Sequence, residues 1–311
     1  MNMRFVIVGA GAVGELLGAM LKRSGEDVSF VARGATCDKL VSAGIHVDAP
    51  DGSYDVGPFD ADPDPAKLRP ADVVFVSTKS WQLTALAPSL ASLVRDGGAV
   101  VSLLNGVDAA DVLTRALGAE NVLGGLCHVL ARSTAPGVVN VKGQALRVTV
   151  GELDPKLRSS KRVQALANAL TKAGVGVTLP EDVRVAIWSK LLFVGPMGLI
   201  GTATTMSVDR YRVVPEARAL LAEAMREVRS VANARGVPVP EDTIEQTLGF
   251  IDALPDGAMT SMHRDLIEGR KSELEEQVGA VVRLGTESNT ETPVHRVLHA
   301  LLRARYPEPA I

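Results

Sequence analysis

Short apolar runs and helical patterns alternate along the first half of the chain. The segments RFVIVGA, DVSFVAR, ADVVFVSTK and GAVVSLLNG are short, apolar and followed by glycine or polar residues, which is typical of buried strands. The intervening segments AVGELLGAMLKRSG, ATCDKLVSAGI and WQLTALAPSLASLV favour helices. Strands that alternate with helices predict a parallel sheet with helices on both faces.

The pattern changes in the middle of the chain. NVLGGLCHVLARS and VVNVKGQALRVTVGEL are strand-like segments with short breaks, and they predict an antiparallel extension of the sheet. PKLRSSKRVQALANALTKAG favours a helix, and VGVTLP predicts a last strand. Beyond Pro180, PEARALLAEAMREVRSVANARG, SELEEQVGAVVRLGTES and VHRVLHALLRARY all favour helices. We therefore expect an α/β domain over residues 1–180 and a helical domain over residues 181–311.

Composition narrows the classes of partner. The 311 residues are 46% hydrophobic and 22% charged, with a formal net charge of −3. There is no basic excess, so we expect neither nucleic acid nor an anionic membrane as a partner. We expect neither a secretory leader nor a membrane-spanning segment. Cys37 and Cys127 lie far apart and outside any metal-binding spacing, which favours a reduced, cytoplasmic protein without a metal.

A glycine-rich loop follows the first strand and opens the first helix. The loop is GAGAVG and comprises Gly9, Ala10, Gly11, Ala12, Val13 and Gly14. In this context the glycines permit a tight turn, close approach of a pyrophosphate and close packing of the helix on the strand. The N–H groups at the start of the helix would bind phosphate oxygens. The loop therefore predicts a dinucleotide site.

The end of the second strand discriminates between NAD and NADP. The strand ends in FVARG, so Arg33 stands where NAD-binding proteins usually carry an acid that binds the ribose. A guanidinium pairs well with the 2′-phosphate of NADP. Asp38 is an alternative acid, but it lies within the next helix. We therefore predict NADP(H). Lys79 and Asn105 follow two further strands, where ligands of open α/β sheets bind, although such residues also form turns.

One lysine stands inside the apolar segment WSKLLFVGPMGLIGT. On a helix, the neighbours of Lys190 three and four residues away are Ile187, Ala186, Phe193 and Val194, all of them apolar. Such a lysine either extends along the apolar surface to reach water or serves as a functional amine in a site.

Farther along, Ser272 and Glu275 match a capping box with Ser272 as the N-cap, which would put Glu273 in the first helical turn. His295 and His299 are four residues apart on a predicted helix, but no third ligand accompanies them. We expect both to be surface histidines rather than metal ligands.

Together these motifs resemble the ketopantoate reductase (2-dehydropantoate 2-reductase) family. The resemblance runs from GAGAVG through STKS, LLNG, WSKL and SMHRD…SELEEQVGAVVRLG to NTETPVHRVL. The most specific features are WSKL, SM…D and the glutamate twelve residues after that serine. The resemblance implies an N-terminal Rossmann-type dinucleotide-binding domain and a C-terminal all-α domain like that of 6-phosphogluconate dehydrogenase. It also implies NADPH-dependent reduction of a 2-oxo acid, first of all 2-dehydropantoate to pantoate.

The resemblance also implies roles for individual residues. Lys190 matches the catalytic lysine, and Glu273 matches the acid that orients the lysine and the substrate. Ser261 matches a contact to the substrate carboxylate. Lys79 and Asn105 match residues that lie near both nicotinamide and substrate, and Glu273 is likewise expected to contact the cofactor.

Three positions depart from the family pattern. The family often has asparagine where this chain has Val194, Gly198 and Ala258. The missing amides leave open a bulkier or less polar 2-oxo acid as the substrate. An alternative of another class is a non-catalytic NADP-binding sensor, against which the retained lysine and glutamate argue. The long helices of the second half could pack within one chain or across a homodimer.

Overall fold

The computed structural model describes residues 2–143, 146–158 and 160–307, which form two compact units. The first unit comprises the chain up to Leu104 together with Ala109–Val183. The second comprises the chain from Arg184 together with the short segment Asn105–Asp108. Residues 105–108 therefore belong to the helical unit, although they are flanked in sequence by the first one.

The first unit contains two sheets. In chain order its strands are β1 (Arg4–Val8), β2 (Asp27–Val31), β3 (Ile45–Asp48), β4 (Tyr54–Val56), β5 (Asp60–Asp62), β6 (Ala71–Val76), β7 (Val94–Ser102), β8 (Val122–His128), β9 (Ala131–Ala135), β10 (Val138–Val141), β11 (Arg147–Glu152) and β12 (Gly176–Thr178). The larger sheet has the order β12-β11-β8-β7-β6-β1-β2-β5, and the smaller has the order β4-β3-β10-β9.

The larger sheet confirms the parallel core that the alternating pattern predicts. Strands β2, β1, β6, β7 and β8 pair in parallel, and β11 pairs antiparallel with β8. The predicted antiparallel extension is thus correct for β11 but wrong for β8, β9 and β10. Strand β8 is buried along most of its length and continues the parallel core, whereas β9 and β10 form a hairpin in the smaller sheet.

Helices cover the larger sheet. They are α1 (Ala12–Arg23), α2 (Gly34–Ser42), α3 (Leu83–Leu86), α4 (Ala109–Leu117) and α5 (Lys161–Lys172). The single long helix predicted over WQLTALAPSLASLV is wrong, because α3 gives way to a 3₁₀ segment over Ala87–Leu93. Pro88 has no backbone N–H to continue the α-helical hydrogen-bond ladder, so the helix changes type there.

In the described part of the second unit, the regular secondary structure consists of helices. Its helices are α6 (Val183–Thr204), α7 (Val208–Tyr211), α8 (Pro215–Ala234), α9 (Asp242–Asp252), α10 (Ser261–Ile267), α11 (Ala280–Glu287), preceded by a π-helical turn over Glu275–Gly279, and α12 (Pro293–Arg305). Helix α6 is long and apolar enough to cross a membrane by length and composition alone. Its residues Leu191, Leu192 and Ile200 are almost wholly buried in the core of this unit, which accounts for the apolar sequence.

A buried glutamate joins α8 to the start of α12. The Glu227 carboxylate accepts hydrogen bonds from the backbone N–H groups of Val294 at 2.7 Å and His295 at 3.0 Å, and it lies 2.6 Å from Nδ1 of His295. The prediction of surface histidines is therefore wrong for His295, which has no exposed surface. His299 is half-buried and contacts Glu275 at 3.1 Å.

Candidate functional site

Two glycines of the loop are required by packing within the first unit. Gly9 has φ +103°, and a Cβ there would lie 2.7 Å from the backbone nitrogen of Thr78. A Cβ on Gly14 would overlap the carbonyl oxygen of Gly9. The hydroxyl of Ser77 donates to that same carbonyl at 2.7 Å, which holds the loop against the end of β6. These contacts fix the shape of the loop whether or not a ligand is present.

The middle glycine has a different environment. A Cβ on Gly11 would meet no atom of the protein within 4 Å, and the residue has an ordinary φ of −96°. Gly11 is also the N-cap of α1, and no side chain caps this end. The N-terminus of α1 therefore has no side-chain cap, and the space beside Gly11 is open, which is the arrangement that admits a pyrophosphate. The loop residues fit a bound dinucleotide.

Arg33 and Lys79 are the predicted cationic residues of the first unit. Arg33 directly precedes α2 at the carboxyl end of β2, and its side chain is exposed. No residue in the described ranges hydrogen bonds or ion-pairs with its guanidinium. Lys79 follows β6, is exposed, and has its Nζ 5.5 Å from the centroid of the Trp81 ring. Asp38, the alternative acid, lies within α2, as the sequence suggests.

In the second unit, a buried carboxylate is held by two amides. Glu273 is only 6% exposed. Its Oε2 accepts hydrogen bonds from Nδ2 of Asn105 at 3.2 Å and from Nε2 of Gln277 at 3.1 Å. Both donors are neutral amides, so neither brings a charge to the carboxylate. Both bonds are made to the same oxygen, Oε2, and neither uses Oε1.

The predicted capping box is absent. The carboxylate of Glu275 contacts His299 and Arg303 instead of the backbone near Ser272. The hydroxyl of Ser272 accepts a bond from the N–H of Leu274 at 3.3 Å. The carbonyl of Glu273 accepts the first helical bond, from Gln277, so Glu273 precedes the first turn rather than lying in it.

Helix α6 carries Lys190 and packs beside the same π-helical turn. A Cβ on Gly195 would lie 3.8 Å from the carbonyl oxygen of Gln277. Lys190 is five residues earlier, about 7.5 Å along the helix axis, and is half-buried. The neighbours Trp188 and Leu191 are buried, so the ammonium stands on an otherwise apolar stretch of the second unit.

Ser261 is the first residue of α10. Its predecessor Thr260 is the N-cap, whose Oγ1 accepts the N–H of His263 at 3.2 Å. Ser261 itself is half-buried, and its hydroxyl has no hydrogen-bond partner among the residues that the structure describes. A Cβ on Gly198 would lie 2.7 Å from Oγ1 of Thr260 and 2.6 Å from Cε of Met262. The start of α10 is therefore packed directly on α6 at Gly198, eight residues after the lysine.

The structure thus brings Asn105 and Glu273 into contact and places Lys190 and Ser261 in the same unit. Sequence reasoning missed Gln277, although it lies four residues after Glu273, a spacing at which side chains of a predicted helix can meet. It also missed Thr260, whose contact with Gly198 no sequence pattern signals. Over the described ranges, no group of three or more histidine, cysteine or acidic residues is arranged to hold a metal ion.

Comparison with known proteins assigns the chain to a family. The profile described as ketopantoate reductase PanE/ApbA matches residues 5–155, and the profile of its C-terminal region matches residues 182–306. The chain belongs to the ketopantoate reductase family, whose members are NADP-dependent oxidoreductases acting on CH–OH groups. The resemblance seen in the sequence motifs is therefore confirmed.

Individual relatives match over nearly the whole chain. The 2-dehydropantoate 2-reductase of Halobacterium salinarum is 31% identical, and the match covers 97% of this chain and 98% of that protein. The enzyme of the same name from Nostoc sp. is 27% identical, with 96% and 94% covered. The crystal structure of 2-dehydropantoate 2-reductase from Geobacter metallireducens has a TM-score of 0.88 and 29% identity, with 97% and 100% covered. These similarities confirm the predicted fold class.

Proposed function

We propose that this protein reduces a 2-oxo acid to a 2-hydroxy acid with NADPH, and that 2-dehydropantoate is the first substrate to test. The observation that carries the proposal is the buried Glu273 carboxylate, held by Asn105 in the unit that also contains Lys190 and Ser261. Family membership supports the reaction class, and the names of the relatives support the substrate.

The glycine loop, residues 9–14, would bind the pyrophosphate of NADPH at the N-terminus of α1. Gly11 leaves room for it, because a Cβ there would fill open space. Arg33 would pair with the 2′-phosphate, since its guanidinium is exposed and has no described partner. Lys79 and Asn105 would border the nicotinamide end. Bound NADPH would supply the hydride that reaches the carbonyl carbon of the substrate.

Lys190 is proposed to donate the proton. As the carbonyl carbon is reduced, its C=O electron pair moves to the oxygen, which takes a proton from the Nζ ammonium and becomes the hydroxyl. Glu273 would orient the lysine and substrate through the oxygen not engaged by the two amides. Ser261 would donate its hydroxyl to the substrate carboxylate, since no described residue uses that hydrogen.

A second candidate is the same reaction on a less polar 2-oxo acid. The observation that favours it is the packing at Gly198, where the side chains of Thr260 and Met262 fill the space that an asparagine would need. Val194 and Ala258 likewise supply no amide. A site that lacks these hydrogen bonds discriminates less strongly for a hydroxylated substrate.

We further propose residues 1–180, except for Asn105–Asp108 of the helical unit, as the NADP-binding domain. Residues 181–311 are proposed as the domain for substrate binding and dimerisation, in a cytoplasmic protein. Size measurement in solution tests the homodimer. An elution volume and scattering mass of a monomer at micromolar concentration would exclude it.

The deciding experiment is NADPH consumption with a panel of 2-oxo acids that includes 2-dehydropantoate and aromatic or aliphatic analogues. The wild type should turn over at least one acid, and Lys190→Ala should lose at least about a hundredfold in kcat. Lys161→Ala, a change at an exposed lysine of α5, should leave kcat unchanged. Tight NADPH binding without turnover on any acid would instead support a sensor.

A further inference from the structure

Gln277 is a buried polar residue with one side-chain atom unsatisfied. The residue is 1% exposed, and its Nε2 donates to Glu273 at 3.1 Å. Its Oε1 is buried and has no hydrogen-bond partner. Buried acceptors without partners are rare in proteins, because they lose their hydrogen bonds to water on folding. An apolar side chain of similar length would avoid this loss, so stability alone does not account for a glutamine here.

The local backbone favours a specific role for this side chain. Gln277 lies within the π-helical turn Glu275–Gly279, and such turns occur frequently at functional sites. The turn follows Glu273 directly, and the N–H of Gln277 donates to the Glu273 carbonyl at 3.0 Å. Gln277 therefore contacts the same glutamate through its main chain and its side chain.

The orientation of the Gln277 amide is set by its hydrogen bond to Glu273. Its Nε2 donates to the carboxylate oxygen Oε2, and Oε1 in that place would put two acceptors against each other. The Asn105 amide donates to the same oxygen from the other segment of the unit. The two amides thus hold one oxygen of the carboxylate and fix its rotamer.

We infer that Gln277 is a positioning residue that holds the Glu273 carboxylate in a single orientation for catalysis. The expected change in kcat rests on the proposed function. The contact between Gln277 and Glu273 does not. Gln277 acts only through Glu273, so its removal should lower kcat while leaving the binding of NADPH intact.

The test is Gln277→Met, which keeps the length of the side chain and removes both the donor and the unsatisfied acceptor. We expect kcat to fall about tenfold or more and KM for NADPH to stay within about twofold. Tm should change little, because the loss of the hydrogen bond to Glu273 and the loss of the unsatisfied acceptor act in opposite directions. If Gln277 had only a structural role, kcat would not fall in a variant whose Tm is preserved. Gln246→Met is a matched control, because Gln246 donates to Asp242 at 2.9 Å with the same spacing on the exposed surface of α9.

A double-mutant cycle and an NMR spectrum of the side-chain amides complete the test. On a Glu273→Ala background, Gln277→Met should have no further effect on kcat, and additive losses would overturn the inference. The side-chain ¹⁵N–¹H signals of Gln277 should exchange slowly in the wild type and shift in Glu273→Ala. Signals that do not respond to Glu273→Ala would also overturn it. A wild type with no turnover would refute the proposed function, and the spectrum would still decide whether Gln277 holds the Glu273 carboxylate.

Discussion

Asn105 and Glu273 are 168 positions apart in the chain and are joined by a hydrogen bond of 3.2 Å from Nδ2 to Oε2. The contact is confined to the second unit, because residues 105–108 belong to it. Gly106 lies against the π-helical turn that follows Glu273, since a Cβ there would be 2.7 Å from the Glu276 carbonyl oxygen. Arg283 of α11 pairs with Asp108 at 2.5 Å. This short segment therefore holds Asn105 beside Glu273.

Asn105→Ala should lower kcat by roughly 10- to 100-fold, since a hydrogen bond to a charged group contributes about 1.5–3 kcal/mol. Steady-state kinetics with the best 2-oxo acid measures the change. The matched control is Asn140→Ala, because Asn140 donates to the Asp48 carboxylate at 2.6 Å on the exposed smaller sheet. Equal kcat values for wild type and Asn105→Ala would contradict the proposed role of Asn105 in the site.

Gly11→Ala and Gly14→Ala should separate cofactor binding from folding. Gly11→Ala should leave Tm unchanged or slightly higher and raise KM for NADPH about tenfold or more, because the new methyl group occupies only the space of the pyrophosphate. Gly14→Ala should lower Tm, because its Cβ overlaps the Gly9 carbonyl oxygen. Gly249→Ala, at an open position of α9, is the control for the methyl group itself. Unchanged NADPH affinity in Gly11→Ala would contradict the assignment of the loop.

Arg33→Ala should reduce the preference for NADPH over NADH about 10- to 100-fold, through a higher KM for NADPH alone. Tm should not change, because the side chain is exposed. Arg158→Ala, which removes an exposed guanidinium that pairs with Glu181 at 2.9 Å, provides the comparison. A parallel rise in KM for both cofactors would assign Arg33 a role other than contact with the 2′-phosphate.

Glu15 should make the protein less stable as the pH rises. Its side chain is fully buried on α1, where Oε1 accepts the N–H of Gly137 at 3.0 Å and Oε2 has no partner. Burial raises the pKa of Glu15 from 4.5 to about 7. The folded state therefore holds a proton that the unfolded state releases, so stability falls between about pH 4.5 and 7 and then levels off.

Glu15→Gln should abolish this dependence. The variant should exceed the wild type by up to about 3 kcal/mol in free energy of unfolding at pH 8, and the difference should vanish near pH 4. Urea unfolding across this range measures it. Parallel pH profiles for the two proteins would show that the Glu15 carboxyl does not titrate in the folded state in this range.

Local patterns predicted the elements that depend on local physics. The strand that precedes the glycine loop and the helix that follows it are confirmed, and so is the long helix that begins at Pro215. The smaller sheet was missed in part because β3 and β4 are only four and three residues long. Strands of this length carry too little alternation to identify.

The predictions that failed depend on contacts between segments that are distant in the chain. The burial of His295 depends on Glu227, which lies 68 positions away and offers no pattern that links the two. Glu275 was assigned to a cap by its spacing, but the histidine and arginine of α12 compete for it in the folded chain. The residues proposed for the site were found from motifs, whereas Gln277 was found only in the folded chain, through its hydrogen bond to Glu273 and its unsatisfied oxygen.

The assignment of Asn105–Asp108 to the helical unit has a consequence for modularity. The polypeptide enters that unit, leaves it and returns, so no single cut of the chain yields two complete halves. A chimaera that takes its nucleotide-binding half from a homologue would import a foreign version of this segment. Successful recombination within the family should therefore require these four residues to be inherited with the helices and not with the strands on either side.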